Sequence, residues 1–356
     1  MNVLHLAAGN RWTGAAAPAF AEVRALREAG VEAHYAYTGG YKLEKKLAAF
    51  EFAHPLIEKA QNPMSFLRTV RAIEKFAADH AIDIIHTHLT YDHWLARLVV
   101  RGLPQIRLAR TFHSRRVVRN EPFTRALVAR TSSLFAINDV LADARLVRSR
   151  RVTWTPPPLD TREFLPAGRD VRTTYGIDAG APVVMAIGKL SRGRGFEAVL
   201  QTFATVQRQR ADARLMIVGH GEHRPVLEQI AASLHVAPLW AGYHEDDLAE
   251  HYRAADVLLF TAAGSDEGHR AVIEAMGCGV APATYPIDGV RAVLGDLAAT
   301  HSAGAASPDA LAETVKALLQ RDREALRSEA LRRATSFDFA AAAARLIDGY
   351  STGAVT

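Results

Sequence analysis

Short apolar runs alternate with amphipathic segments along nearly the whole chain, and the alternation falls into two separate series. In the first half, "NVLHLAA", "VEAHYAYT", "IDIIHTH", "IRLARTF", "SLFAIND" and "RVTWTP" read as buried strands. "PAFAEVRALREAG", "SFLRTVRAIEKFAADH" and "VLADARLVRS" read as the helices between them. Strands that return in the same direction need a crossover of a dozen or more residues, which a helix supplies. The segment "TPPPLDTREFLPAGRD" then breaks the pattern, because its four prolines favour an extended backbone and oppose a helix. A second series comes after it, with "PVVMAIG", "RLMIVG", "LWAG", "DVLLFTA" and "VAPATY" as strands. The pattern predicts an α/β chain of two doubly wound domains, residues 1–165 and 166–335. Ligands of such sheets lie beyond the carboxyl ends of the strands, so the expected site is a cleft between two facing domains.

Charge is divided unevenly between the halves. Residues 1–165 hold 24 Lys and Arg against 15 Asp and Glu, a balance of +9, while residues 166–356 hold 19 against 23, a balance of −4. An excess confined to one half points to an anionic partner there. The basic runs, with Lys42, Lys45 and Lys46 in one and Arg115 and Arg116 in the other, carry no nucleic-acid module, so nucleic acid is not expected. An anionic bilayer surface or a phosphate-bearing acceptor fits better. No apolar run approaches the ~18 residues of a membrane span, and the first segment reads as a strand. The single cysteine, Cys278, lies between glycines and reads as a small buried filler, and the chain is expected in the reducing cytoplasm.

Two strand ends carry unusual loops. "VVMAIGKLSRGRGF" places Gly188, Lys189, Arg192 and Arg194 after a strand, and "LMIVGHGEHRPVL" places Gly219 and Gly221 before a helix. Glycine lets backbone approach a ligand, and free N–H groups at a helix start attract an anion. With fixed cations beside them, these loops suit a diphosphate. Neither a Walker loop nor a G-x-G-x-x-G fingerprint occurs, which argues against ATPases and dehydrogenases.

The stretch "AAGSDEGHRAVIEAMGCGV" sets carboxylates around a short helix, capped at Gly-Ser-Asp and closed by Gly277 and Gly279. At helical rise Asp266 and Glu274 stand roughly 12 Å apart and Glu267 and Glu274 roughly 10 Å apart. Those separations are too long for a hydrolase, whose carboxyls stand at about 5 to 9.5 Å, and suit holding the two ends of an elongated ligand. The alternative is an acid complementing the helix dipole and a half-exposed Glu.

With "AIGKLSRGRGFEAVL", "LMIVGHGEHRPVLEQ", "WAGYHEDDLAEHYRAADVLLFTA" and "GSDEGHRAVIEAMGCGVAPATY" in this order, the second half resembles the family-4 glycosyltransferases, retaining enzymes of the GT-B fold. "DIIHTH", "ARTFHS", "FAIND" and "PPPLDTREFLP" match the first half more loosely. The resemblance implies two Rossmann-like domains, an acceptor-binding one before a nucleotide-sugar-binding one, with residues 336–356 as a closing helix returning to the first.

By the same resemblance, Glu274 holds the ribose hydroxyls of a nucleotide, and Asp266 or Glu267 holds the donor sugar. Lys189 and Arg194 stand where the family has Arg and Lys and neutralise the leaving diphosphate. His113 matches a histidine near the reacting sugar, whereas His86 and His88 read equally well as structural. Gly14, Gly188, Gly219, Gly221, Tyr243, Gly268, His269 and Arg270 fall among the ligand-contacting positions. The implied activity is a retaining sugar transfer from a nucleoside-diphosphate sugar to an anionic, saccharide or lipid-linked acceptor, in surface polysaccharide or glycolipid assembly. The leaving phosphate takes the acceptor's proton. A nucleotide-sugar epimerase and a degenerate nucleotide-sugar-binding protein are the alternatives. No metal is expected: among the 15 histidines, those of "HTHLTYDH" have no carboxylate or Cys partner at metal-binding spacing.

Overall fold

The structure is a computed structural model and describes residues 1–9, 12, 14–59, 62–114, 118, 120–262 and 269–352. They form two compact units, one comprising Met1–Pro158 and Asp338–Thr356, the other Leu159–Phe337. The first is built on seven parallel strands: β1 (Asn2–Ala7), β2 (Glu32–Thr38), β3 (Ala53–Ile57), β4 (Ile84–Thr87), β5 (Arg107–Phe112), β6 (Ser133–Ala136) and β7 (Val152–Trp154). Their order is β3-β2-β1-β4-β5-β6-β7. The second has five parallel strands, β8 (Val183–Ile187), β9 (Arg214–Val218), β10 (Leu239–Gly242), β11 (Val257–Phe260) and β12 (Ala281–Thr284), in the order β10-β9-β8-β11-β12. Both sheets are doubly wound, as the alternation predicts. Every strand named from the sequence is present.

Strand β3 is not legible in the sequence. Its residues "AHPLI" include Pro55, which cannot donate to a ladder and is tolerated because β3 lies at the sheet edge. The helix expected over "VLADARLVRS" winds only through Asp139–Ala142. Residues 159–165, assigned by sequence to the first domain, belong to the second unit. The Leu159 N–H donates to the Phe337 carbonyl, and the Phe164 ring meets Tyr252 edge-on at 6.0 Å. The Leu159 backbone and the Phe164 side chain of the proline-rich segment are therefore anchored in the second unit.

In the first unit both sheet faces are covered, which is why its strands read as continuous apolar runs. Val3 and Ala7 face a core with Phe20, Val23 and Leu26 of the helix Ala16–Glu28 and Leu346 and Tyr350 of the helix Phe339–Thr352. Leu4 and Leu6 face the opposite way, toward Val70, Ile73, Leu95 and Val99. The final helix fits closely against the sheet. A Cβ on Gly349 would lie 2.4 Å from the Phe135 ring, and Arg107 Nη1 donates to the Tyr350 carbonyl at 2.7 Å. Cys278 is buried and its thiol is pushed up to about 12 by that burial, in keeping with a filler. Among the described residues no helix is long and apolar enough to cross a membrane.

Candidate functional site

The order of the second sheet reverses between β8 and β11, and the chains leaving those two strands diverge. A crevice therefore opens at their carboxyl ends. A pocket of about 140 Å³ lies there, lined by Ile187 at the end of β8, Gly188, Lys189 and Arg194 in the loop after it, Phe260 and Ala262 at the end of β11, and Tyr252, Arg270 and Glu274. Two larger cavities, of about 660 and 250 Å³, sit at the amino ends of strands, beside Ser133 and Thr153 in the first unit and Pro182 and Val257 in the second. The smaller pocket occupies the position where a sheet of this winding binds its ligand.

Gly188 lines the pocket, and Gly195, Gly219 and Gly221 brace the loops behind it. Gly188 has φ +151° and Gly219 φ +141°, conformations essentially closed to other residues. A Cβ on Gly219 would stand 1.9 Å from the Gly188 carbonyl oxygen, and one on Gly221 would stand 2.0 Å from that of Leu190. This contact lets the Leu190 N–H donate to the His220 carbonyl and the His223 N–H to the Leu190 carbonyl, which zips the two loops together. Gly195, at φ +80°, starts the helix Phe196–Gln207, and its carbonyl accepts from Thr261 Oγ1 at 2.9 Å. Lys189 leaves this frame exposed, 3.7 Å from the Glu222 carboxylate. Arg194 lines the same pocket.

The opposite wall is the helix Arg270–Gly277. The sequence reading capped this helix at Gly-Ser-Asp, but the cap is His269, in the left-handed conformation at φ 53°. Its ring is buried, with Nε2 2.9 Å from the Asp288 carbonyl and an edge-on contact to Phe260 at 5.5 Å. A left-handed residue at 269 ends the helical rise there. Asp266, Glu267 and Gly268 themselves lie outside the described residues. Four residues into the helix, Glu274 is buried. Tyr252 Oη donates to its Oε2 at 3.1 Å, and Arg270 Nε lies 3.1 Å from its Oε1. Burial and the Glu274 charge hold the Tyr252 phenol well above its usual range, so it stays a donor. Tyr252 has no sequence signal, since its link to Glu274 spans 22 residues and is made only by packing.

The other expected positions divide. Lys189, Arg194, Gly188, Arg270 and Glu274 line one pocket. Tyr243 is exposed, edge-on to His220 at 5.1 Å with its hydroxyl on Glu245 at 2.9 Å, and does not line it. Gly14 is exposed, and a Cβ there would meet nothing within 4 Å, so local sterics do not demand glycine.

His113 comes directly after β5 in the first unit, beside a cluster that spacing along the chain does not show. His5 and His86 are register partners on β1 and β4, and His88 stands two residues after His86, which puts all three on one face of the sheet. Glu22, from the helix Ala16–Glu28, packs against them, and His5, Glu22, His86 and His88 offer ligand atoms within 4.8 Å of one another. Spacing along "HTHLTYDH" could not reveal this, because the carboxylate comes from another element. His113 Nε2 lies 3.0 Å from His88 Nδ1, and its Nδ1 has no hydrogen-bond partner among the described residues. The residue is partly buried, and burial, helped by the nearby Arg110 guanidinium, pushes His113 down to about 3. It is neutral at physiological pH.

With this geometry in view, the chain can be set beside known proteins. Residues 12–162 match Glycosyltransferase Family 4, and residues 181–321 match Glycosyl transferases group 1. The chain belongs to this family of glycosyltransferases and has its GT-B architecture. It is 27% identical over 333 residues to a D-inositol 3-phosphate glycosyltransferase of Geodermatophilus obscurus, an alignment covering 83% of this chain and 73% of the other. Over 137 residues, 35% of this chain and 36% of the other, it is 32% identical to a GDP-mannose-dependent alpha-(1-6)-phosphatidylinositol monomannoside mannosyltransferase of Mycolicibacterium smegmatis. The crystal structure of Anabaena HepE in complex with UDP is similar in fold, with a TM-score of 0.80 and 15% identity over 99% of this chain and 100% of that one.

Proposed function

We propose that this glycosyltransferase moves a sugar, with retention of configuration, from a nucleoside-diphosphate sugar to an anionic saccharide or lipid-linked acceptor. The observation that carries the reading is the Glu274 carboxylate, held by Tyr252 and Arg270 in the same pocket as Lys189 and Arg194. A buried carboxylate at one end of a pocket accepts from ribose hydroxyls, and two cations beside glycine-lined backbone receive a diphosphate. Asp266 or Glu267 then takes the hydroxyls of the donor sugar. Charge grows on the departing diphosphate as the glycosidic bond breaks, and Lys189 and Arg194 stabilise it there, so the diphosphate needs no metal ion. The leaving phosphate accepts the acceptor's proton, and neutral His113 packs against the transferred sugar.

The relatives' names support the acceptor class, since inositol phosphate and phosphatidylinositol glycosides are both anionic. The +9 balance of residues 1–165 supports the same class and an inner-membrane-facing, peripheral location. Purified chain would be screened against UDP, GDP and ADP by thermal shift, then assayed for sugar transfer with the donor so identified. A ligand at 100 times its Kd adds about 2.7 kcal/mol of stability. Stabilisation by one nucleoside diphosphate, lost in Glu274→Gln, is expected; no stabilisation by any of them would defeat the reading. Donor sugars interconverting without acceptor would indicate an epimerase instead.

A further inference from the structure

We propose that His5, Glu22 and His88 form a binding site for a divalent transition-metal ion of the zinc class, inside the first unit and separate from the nucleotide pocket. The three ligand atoms are His5 Nδ1, His88 Nε2 and Glu22 Oε2, with separations of 2.9, 3.6 and 3.8 Å. Nitrogen and oxygen ligands about 2.0 to 2.2 Å from a tetrahedral ion stand roughly 3.3 to 3.5 Å apart, so small shifts bring the three around one ion. All three side chains are fully buried or nearly so, and Glu22 is met by the Thr155 hydroxyl, while its Oε2 lacks a well-formed hydrogen bond among the described residues. A buried carboxylate so weakly met is costly, and a bound cation relieves it.

The surroundings have the form of an outer ligand shell. A metal-bound imidazole uses one nitrogen for the ion and donates the other N–H to a fixed partner, which sets its tautomer. His5 Nε2 lies 3.2 Å from Tyr350 Oη, and His88 Nδ1 lies 3.0 Å from His113 Nε2. Both ligating rings therefore have a partner on the nitrogen turned away from Glu22. His86 has both nitrogens engaged, Nδ1 with Tyr350 Oη at 2.6 Å and Nε2 with Thr111 Oγ1 at 2.7 Å, and so supports the site from outside. The Asp92 carboxylate offsets the nearby Arg110 guanidinium. The alternative is a core of neutral histidines around a protonated Glu22, and burial does push that carboxyl up to about 8. That state satisfies one His5–His88 hydrogen bond and leaves Glu22 with the Thr155 hydroxyl.

An ion here would fix every proton in the network. With lone pairs of His5 Nδ1 and His88 Nε2 on the metal, His5 Nε2–H donates to Tyr350, Tyr350 donates to His86 Nδ1, and His88 Nδ1–H donates to His113 Nε2. His113 must then carry its own proton on Nδ1, its unpaired nitrogen. Metal occupancy would thus turn that atom into a donor.

The test is metal content. The whole chain would be produced in zinc-supplemented medium, gel-filtered through dilute chelator and analysed by mass spectrometry for zinc. We expect about one tightly held ion per chain in the wild type, loss of it in Glu22→Gln, and roughly 10- to 100-fold weaker binding in Tyr350→Phe. His244→Gln with Asp247→Asn, at a second His/Asp group in the other unit, should keep it. Zinc retained by Glu22→Gln, or a wild type that holds none even when refolded with zinc, would overturn the proposal. Because Glu22→Gln could perturb folding, cobalt-loaded wild type supplies an independent reading: intense visible bands of a four- or five-coordinate nitrogen and oxygen site support it, and a weak six-coordinate spectrum overturns it.

Discussion

Glu274 is held from two sides at equal distance, Tyr252 Oη reaching Oε2 and Arg270 Nε reaching Oε1, each at 3.1 Å. Both carboxylate oxygens are thus oriented before any ligand arrives. Glu274→Gln keeps the shape and removes the charge. Nucleoside-diphosphate affinity should fall by about 1.5 to 3 kcal/mol, roughly ten- to a hundred-fold in Kd, with little change in Tm. Calorimetric titration measures it, and unchanged affinity in the folded variant would remove Glu274 from the site.

Tyr252→Phe probes the support rather than the contact. The ring still fills its place, but Oε2 loses a charge-assisted partner in a buried setting, so stability should drop by about 1 to 3 kcal/mol and donor affinity should fall less than in Glu274→Gln. Urea unfolding and titration on the same protein separate the two effects. A larger affinity loss in Tyr252→Phe would mean that the phenol itself touches the ligand.

The cations should act on turnover. Lys189→Ala and Arg194→Ala are each expected to lower kcat by a larger factor than they raise the donor KM, because the charge they meet grows toward the transition state. Glu222→Gln, which removes the exposed partner 3.7 Å from Lys189, should leave stability unchanged. Full kcat with a raised KM in the alanine variants would limit the cations to ground-state binding.

Much of this fold and site is legible in the sequence, for identifiable reasons. Two-sided burial makes parallel strands apolar throughout, so the interior strands of both sheets survive in the sequence as uninterrupted runs, whereas edge strand β3 tolerates Pro55 and loses its signature. Glu274 and the Gly188, Gly219 and Gly221 backbone are visible because each residue type stands at a strand end or on a short helix where it signals its own role, glycine a close backbone approach and Glu a hydroxyl acceptor. Tyr252 beside Glu274 and Glu22 beside His5 and His88 are not, since each pairing joins elements that only tertiary packing brings together. The helix start is misplaced by sequence because Gly-Ser-Asp is a good cap in general, and nothing in the sequence shows His269 turning left-handed.

The glycines give a steric prediction with an internal control. Gly219→Ala and Gly221→Ala would drive a Cβ to within 2 Å of a carbonyl oxygen, and backbone would have to move. Each should cost ~3 kcal/mol or more, read as a large fall in Tm. Gly193 has φ +78° but open space around its Cβ position, so Gly193→Ala should cost only about 1 to 2 kcal/mol. Equal losses at the three positions would contradict the interlocked loops.

Acid should destabilise the first unit through buried imidazoles. His93 is buried with Nε2 2.9 Å from Thr131 Oγ1, and burial lowers it from 6.5 to about 3. A group lowered in the folded state gives its full stabilisation above its unfolded value and loses it as pH falls, here between pH 6.5 and 3. Each such histidine adds at most about 1.4 kcal/mol per pH unit to the slope. His93→Gln keeps a donor near Thr131 and cannot take up a proton, so urea unfolding from pH 7 to 4 should show a shallower acid limb. Parallel limbs for the two proteins would exclude His93 as a contributor.

The basic half makes the last prediction. Lys42, Lys45 and Lys46 are exposed on the helix Lys42–Leu47, whose Leu43 and Leu47 are buried, so packing turns the cationic face outward. Arg115 and Arg116 lie outside the described residues. Each basic residue near an anionic surface contributes about 1 kcal/mol, and the attraction fades over a Debye length of ~8 Å at physiological salt. The wild type should therefore sediment with anionic vesicles at low salt and leave them as salt rises. Reversing the three lysines to Glu should abolish sedimentation while nucleoside-diphosphate affinity, set by residues of the other unit, stays unchanged. A wild-type chain that ignores anionic vesicles at every ionic strength, with a reversed variant equally active on the acceptor, would reduce the +9 balance to a hydrated surface with no docking role.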